Sequence, residues 1–101
     1  YEIAPVLPPD IRSEDAALTQ VEFRFDSPVG KIRSAWKRID RDSVEFTTEG
    51  AVEGMGVFRI AVPEGAHITR HGVEPAGNTI TNGFFEMPLV PGPQSVLLHF
   101  K

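Results

Sequence analysis

An apolar–polar alternation that continues across a Pro/Gly turn is the feature that most constrains the fold of this chain. Residues 21–25 read Val-Glu-Phe-Arg-Phe, residues 26–30 contain Pro28 and Gly30, and the alternation then resumes as far as Lys37. A period of two is typical of a strand that buries one face, and proline and glycine are typical of turns. The stretch therefore predicts a β-hairpin.

The same two signals recur along the rest of the chain. Apolar alternation returns at 44–47, 58–62 and 96–100, and Asn82-Gly83 is a strong signal for a two-residue hairpin. Pro91-Gly92-Pro93 indicates a rigid turn. About eight short strands separated by turns, without a long helix, predict an all-β fold. Because each strand buries only one face, we expect a two-sheet antiparallel β-sandwich that is jelly-roll-like.

The chain length of 101 residues suits one small domain with one core. Residues 1–17 form a Pro-rich lead-in that is predicted to be extended, with a helical turn allowed over residues 10–17. Residues 18–101 are predicted to form a single β-sandwich domain. Glu49 to Gly56 holds three glycines and predicts a loop or a wide hairpin end.

The predicted core consists of the large apolar side chains that share one face of each strand. It comprises Val21, Phe23, Phe25, Ile32, Trp36, Val44, Phe46, Phe58, Ile60, Val62, Val96, Leu98 and Phe100.

Charge and composition exclude several classes of partner. The net charge is −4, which argues against non-specific nucleic-acid binding. A cluster of basic residues within a predicted strand is interpreted as a solvated face; it comprises Lys31, Arg33, Lys37, Arg38 and Arg41. No apolar run reaches the ~20 residues of a membrane helix, so no membrane partner is expected. The chain starts at Tyr1 and contains no cysteine; we expect a fragment or processed product, and the compartment stays open.

Residues with catalytic or metal-binding chemistry do not form a recognisable pattern. No serine lies in a Gly-x-Ser-x-Gly context, and there is no cysteine nucleophile. His67 and His71 would lie ~13 Å apart in a strand at ~3.3 Å per residue, and no further carboxylates follow Asp40 and Asp42 at calcium-loop spacing. We therefore predict no catalytic residue, no metal site and no cofactor.

Four aromatic residues are candidates for contact with a carbohydrate or with a neighbouring domain. Trp36 could stack on a sugar, but its register with Ile32 favours burial in the core. Phe84 and Phe85 are consecutive, so in a strand they must point to opposite faces, and one of them would lie outside the core. Tyr1 raises the same question of exposure.

Several short motifs, in order, resemble the carboxy-terminal domain of bacterial alpha-L-rhamnosidases, glycoside hydrolase family seventy-eight. They are Ile3-Ala4-Pro5, Ser27-Pro28-Val29-Gly30, the Trp36 strand Ile32-Arg33-Ser34-Ala35-Trp36, and Val62-Pro63-Glu64-Gly65-Ala66. The set covers roughly the first two thirds of the chain. The long loop over 49–56 and the segment after Gly72 depart from the family pattern.

The resemblance implies a β-sandwich appended to a catalytic α/α-barrel of the same parent chain, whose reaction is hydrolysis of terminal alpha-L-rhamnosides. The family's catalytic acid and base lie on the barrel, and no position here matches them. Two alternatives stay open. The domain could be a carbohydrate-binding module for a rhamnose-containing glycan, or an immunoglobulin-like interaction domain without a sugar role.

Overall fold

The structure, a computed structural model, describes residues 2–16, 18–28, 30–52, 54, 56–70, 80–81 and 83–100, without the side chains at 25, 80 and 81. The described residues form nine strands and no helix, so none of them belongs to a helix able to cross a membrane. The strands are β1 (Glu2–Ile3), β2 (Gln20–Ser27), β3 (Gly30–Asp40), β4 (Ser43–Gly50), β5 (Val57–Ala61), β6 (His67–Thr69), β7 (Ile80–Thr81), β8 (Phe84–Pro88) and β9 (Gly92–His99).

The strands form two sheets. One sheet has the order β2-β3-β4-β9-β6 and the other β1-β5-β8-β7. All neighbouring strands are antiparallel except β1 and β5. The predicted two-sheet β-sandwich is therefore confirmed. Within the lead-in, which was predicted to be extended, Glu2 and Ile3 add a short parallel strand to β5.

The hairpin predicted from the opening alternation joins β2 to β3. Ser27 pairs with Gly30, which leaves a two-residue connection, and the Ser27 hydroxyl donates to the Gly30 carbonyl over 2.7 Å. Gly30 has φ +133°, and a Cβ at this position would lie 2.7 Å from the Ala51 Cβ. Glycine is required here because a side chain would be strained and would collide with Ala51.

The core lies between the two sheets. Phe46 of β4 packs edge-to-face on Phe58 of β5, with ring centroids 6.1 Å apart, and both side chains are buried. The predicted core residues that are buried are Ile32, Trp36, Val44, Phe46, Phe58, Ile60, Val96 and Leu98, while Val21, Val62 and Phe100 are partly buried against them. The core also contains residues that the prediction omitted, namely Ile11, Ile68, Phe85, Met87 and Leu89.

The prediction that Phe23 is a core residue is wrong, because its side chain is 61 % exposed. Phe23 pairs with Ser34 and shares the inner face with Trp36, as its register predicts. However, β2 is the edge strand of the larger sheet, and the side chain of Phe23 extends beyond the cover of the second sheet. The predicted burial of Phe25 concerns a side chain outside the described residues.

The lead-in closes one end of the sandwich. Residues 8–13 form two hydrogen-bonded turns, from Ile11 N to Pro8 O and from Ser13 N to Asp10 O, and the Ile11 side chain enters the core. The Arg38 guanidinium donates to the carbonyls of Ile11 and Ser13. Arg38 is therefore an internal anchor for the lead-in, which corrects its assignment to a solvated face.

The turn predicted over Pro91–Pro93 is shorter than expected. Strand β9 begins at Gly92, which has φ +88°, and Pro93 pairs with Glu49 of β4. Strand β6 pairs with β9 only from Leu97 to His99. The described strands therefore leave β9 unpaired on one side at Pro93. The N–H that proline lacks is not needed for a ladder hydrogen bond on that side.

The two sheets provide a matched test of the core. We expect Phe58→Ala to lower the free energy of unfolding by about 3–5 kcal/mol because it leaves a cavity against Phe46. The same truncation at exposed Phe23 should cost less than about 1 kcal/mol. Urea unfolding at low protein concentration measures both values, and equal losses would contradict the assigned core.

Candidate functional site

The outer face of the five-stranded sheet carries a shallow polar groove of about 360 Å³. The groove follows from the sequence because Ala35 is small and its neighbours on β2, β3 and β4 are long or polar. Its lining residues, called the outer groove below, are Gln20, Val21, Glu22, Arg33, Ala35, Trp36, Lys37, Glu45 and Thr47.

Glu22 is the electrostatic centre of the outer groove. Its carboxylate accepts hydrogen bonds from Arg33 at 3.0 and 3.2 Å and from Arg24 at 2.7 Å. These bonds, first from Arg33 and then from Arg24, lower the pKa of Glu22 below its ordinary value because hydrogen bonds to the charged form favour ionisation. The carboxyl group of Glu22 therefore stays ionised and acts as a hydrogen-bond acceptor.

The chemistry of the outer groove is suited to hydrogen bonding. The arginines keep Glu22 ionised, and Gln20, Glu45 and Thr47 add further polar groups to the lining. The aromatic lining residue, Trp36, is only 5 % exposed, so it offers little ring surface for stacking on a sugar.

A second concave site is apolar and lies under the lead-in. It has a volume of about 280 Å³, and its walls come from both sheets and from residues 4–7. The residues that line it are Ala4, Pro5, Val6, Leu7, Ile11, Phe46, Arg59, Ile60, Ala61, Pro63, Phe84, Leu98 and Phe100. Its composition is that of an incompletely filled edge of the core.

Phe84 is covered by a charged side chain at the margin of this apolar cleft. The Arg59 guanidinium carbon lies 4.1 Å from the centroid of the Phe84 ring, and Arg59 also forms ion pairs with Glu86 at 3.1 Å and with Glu2 at 3.4 Å. A cation over an aromatic face is a favourable contact. Phe84 is thus half-buried by Arg59, which belongs to the same sheet.

Two of the three histidines stack on the outer face of the five-stranded sheet. His67 pairs with His99 across β6 and β9, with ring centroids 4.8 Å apart. His99 contacts the Thr69 hydroxyl through Nε2 at 2.8 Å and the Ser43 hydroxyl through Nδ1 at 3.5 Å. His71 lies outside the described residues. Within the described part of the chain, no three His, Cys, Asp or Glu residues converge on a metal-sized site.

The four aromatic candidates from the sequence do not form one surface. Trp36 and Phe85 are buried on the inner faces of opposite sheets, and Phe84 lies on the outer face of β8 beneath Arg59. Tyr1 lies outside the described residues. The outer groove was not predicted from the sequence, because the polar residues that line it resemble an ordinary solvated face. Only the pairing of β2, β3 and β4 brings these residues together.

Comparisons with known proteins add no identification. No family model matches the chain, and no curated protein or solved structure shows detectable similarity to it.

The arginines around Glu22 give a testable pH dependence. The lowered pKa of folded Glu22 means that its ion pairs stabilise the fold above the ordinary glutamate pKa, and that this contribution disappears as the pH falls through the folded value. We expect Arg33→Gln to return the pKa of Glu22 toward its ordinary value, and Arg24→Gln to do so by less.

Carboxyl-detected NMR titration measures the pKa of Glu22 in each variant. Lys37→Gln is the control because Lys37 lies opposite Gln20 and Glu45 rather than Glu22. An unchanged pKa of Glu22 after Arg33→Gln would refute the assigned cause.

Proposed function

We propose that this chain is a non-catalytic, carboxy-terminal β-sandwich of an alpha-L-rhamnosidase-like glycoside hydrolase. Its role is to pack on the catalytic α/α-barrel of the parent chain and to stabilise it. The parent reaction in this proposal is hydrolysis of terminal alpha-L-rhamnosides. The observation that carries the proposal is that the glycines of the described motifs lie in turns, while Ile32, Ser34 and Trp36 are buried.

Several of the described motif residues have a structural task that accounts for their type. Gly30 closes the β2–β3 hairpin against Ala51, and Trp36 is buried between the sheets. In the turn after β5, Gly65 has φ +82° and the Ala66 amide donates to the Pro63 carbonyl over 2.9 Å. Motifs of this kind specify a scaffold, which is what a stabilising domain requires.

The geometry of the lead-in supports a docking side for a preceding domain. Strand β1 lies at the edge of the four-stranded sheet, so a domain joined to Tyr1 would lie beside β1 and β5. Val6 is 86 % exposed there and Val57 is 37 % exposed. Of the aromatic candidates for a domain contact, Phe85 does not contribute to this side, since it points into the core.

The gene itself tests this proposal most simply. We expect the reading frame to encode a helical barrel upstream of Tyr1, and we expect removal of residues 1–101 to lower the melting temperature of the parent enzyme. The isolated 101-residue chain should not hydrolyse an aryl rhamnoside. A reading frame without a barrel, or hydrolysis by the isolated chain, would overturn the proposal.

A second function, carbohydrate binding, is favoured by the outer groove. In this proposal its polar lining, on an open sheet face, holds a rhamnose-containing oligosaccharide through hydrogen bonds. If the domain only stabilises a barrel, an NMR titration with such an oligosaccharide should leave the amides of Arg33 and Thr47 unshifted. Saturable shifts at these amides that disappear in Thr47→Val would instead establish the binding module.

A further inference from the structure

Strand β2 is a long, regular sheet edge that no other described strand covers. It stands at the end of the five-stranded sheet, and its eight residues pair with β3 in unbroken register. It contains no proline and no bulge, and the described residues on its inner face, Val21 and Phe23, carry no charge. Proline, bulges and inward-pointing charges are among the features by which natural edge strands prevent pairing with another chain, and the charges of β2, Glu22, Arg24 and Asp26, alternate with its apolar residues.

The open edge presents the backbone groups of the even-numbered residues. The Arg38 amide donates to the Thr19 carbonyl over 2.7 Å, and hydrogen-bonded pairs alternate along an antiparallel ladder. Odd-numbered residues of β2 therefore bond to β3, and Gln20, Glu22, Arg24 and Asp26 point their N–H and C=O groups outward. Among the described residues, no backbone hydrogen bond joins these four to a third strand.

An apolar side chain accompanies this row of backbone groups. Phe23 is 61 % exposed although it lies on the inner face of the sheet. A strand that adds to an exposed sheet edge gains main-chain hydrogen bonds and contacts the alternate side chains beside that edge. A covering strand would remove Phe23 from water and supply hydrogen bonds to the even-numbered residues.

The charges of β2 indicate which strand would cover it. Glu22 and Arg24 are complementary to the same two residues on a second, antiparallel copy of β2. When two copies of β2 pair antiparallel with Phe23 opposite Phe23, Glu22 of each copy faces Arg24 of the other. A shift by two residues in one direction places Glu22 opposite Glu22, and a shift in the other direction places Arg24 opposite Arg24. Opposite charges directly across a ladder are favourable and like charges are unfavourable, so one register is preferred.

We propose that the chain forms a two-fold symmetric dimer through antiparallel pairing of β2 with β2 of a second copy. The two five-stranded sheets then join into one continuous sheet. The Phe23 rings pack on each other across the axis, and two Glu22–Arg24 ion pairs flank them on the outer face. Such an interface is self-complementary, as closed two-fold symmetry requires. The proposal does not rest on the proposed function, because the docking side for a barrel lies at β1 and β5.

Sedimentation equilibrium of the 101-residue chain tests the dimer. A single strand pair makes a small interface, so we expect a dissociation constant on the order of micromolar. Arg24→Glu should raise this constant by about tenfold or more, because it places carboxylates opposite Glu22 in both symmetric contacts. The fold should persist in this variant, since residue 24 pairs with Arg33 of its own chain.

Two further variants make the result specific. Combining Arg24→Glu with Glu22→Arg should restore dimerisation, because the charges across the axis are then complementary again. Arg41→Glu is the control, since it makes the same charge reversal at the exposed turn after β3 and should leave the constant unchanged.

The outcomes separate the proposal from its competitors. A chain that stays monomeric to millimolar concentration overturns the dimer. A dimer that is indifferent to Arg24→Glu, or one that the double substitution does not restore, overturns the β2 register. Loss of dimerisation in Arg24→Glu, with its recovery in the double variant, establishes the proposed register.

Discussion

The edge-to-face contact between Phe46 and Phe58 is the interaction on which the rest of this structure depends. It joins the two sheets, and the other residues of the core cluster pack in the same apolar layer between them. Neither sheet could be stable alone, because each has one apolar face. In a domain this small, the apolar area available for burial is limited. The lead-in therefore contributes Ile11 to the core, and Arg38 holds it there through backbone carbonyls.

The same packing leaves one part of the larger sheet uncovered. The four-stranded sheet, two of whose strands have only two residues, is too small to cover five strands. Strand β2 stays at the sheet edge, with Phe23 exposed on the inner face and a row of backbone groups that bond to no other strand among the described residues. The outer groove and the β2 edge are neighbouring features, and Glu22 belongs to both. A dimer would redirect Arg24 of one copy toward Glu22 of the other and so change the electrostatics of the groove.

Local patterns predicted the strands and their faces well, because alternation and turn chemistry act between near neighbours. The Ser27–Gly30 hairpin, the register of Trp36 and the pairing of Thr81 with Phe84 follow from such signals. Burial was less predictable, since it depends on what the opposite sheet covers. Phe23 has the same local pattern as Val21 but lies farther from cover, and Ile11 lies in a polar segment with no periodicity. The outer groove needs three strands in register, which no local pattern encodes.

Amide hydrogen exchange along β2, followed by NMR as a function of protein concentration, tests the central claim that this strand is an uncovered edge. In dilute protein, the amides of Val21 and Phe23 should be protected and those of Glu22 and Arg24 should exchange rapidly. At high concentration, Glu22 and Arg24 should also become protected as β2 gains a partner strand. Protection of Glu22 and Arg24 in dilute protein, or an absence of alternation between odd and even residues, would contradict this account of the fold.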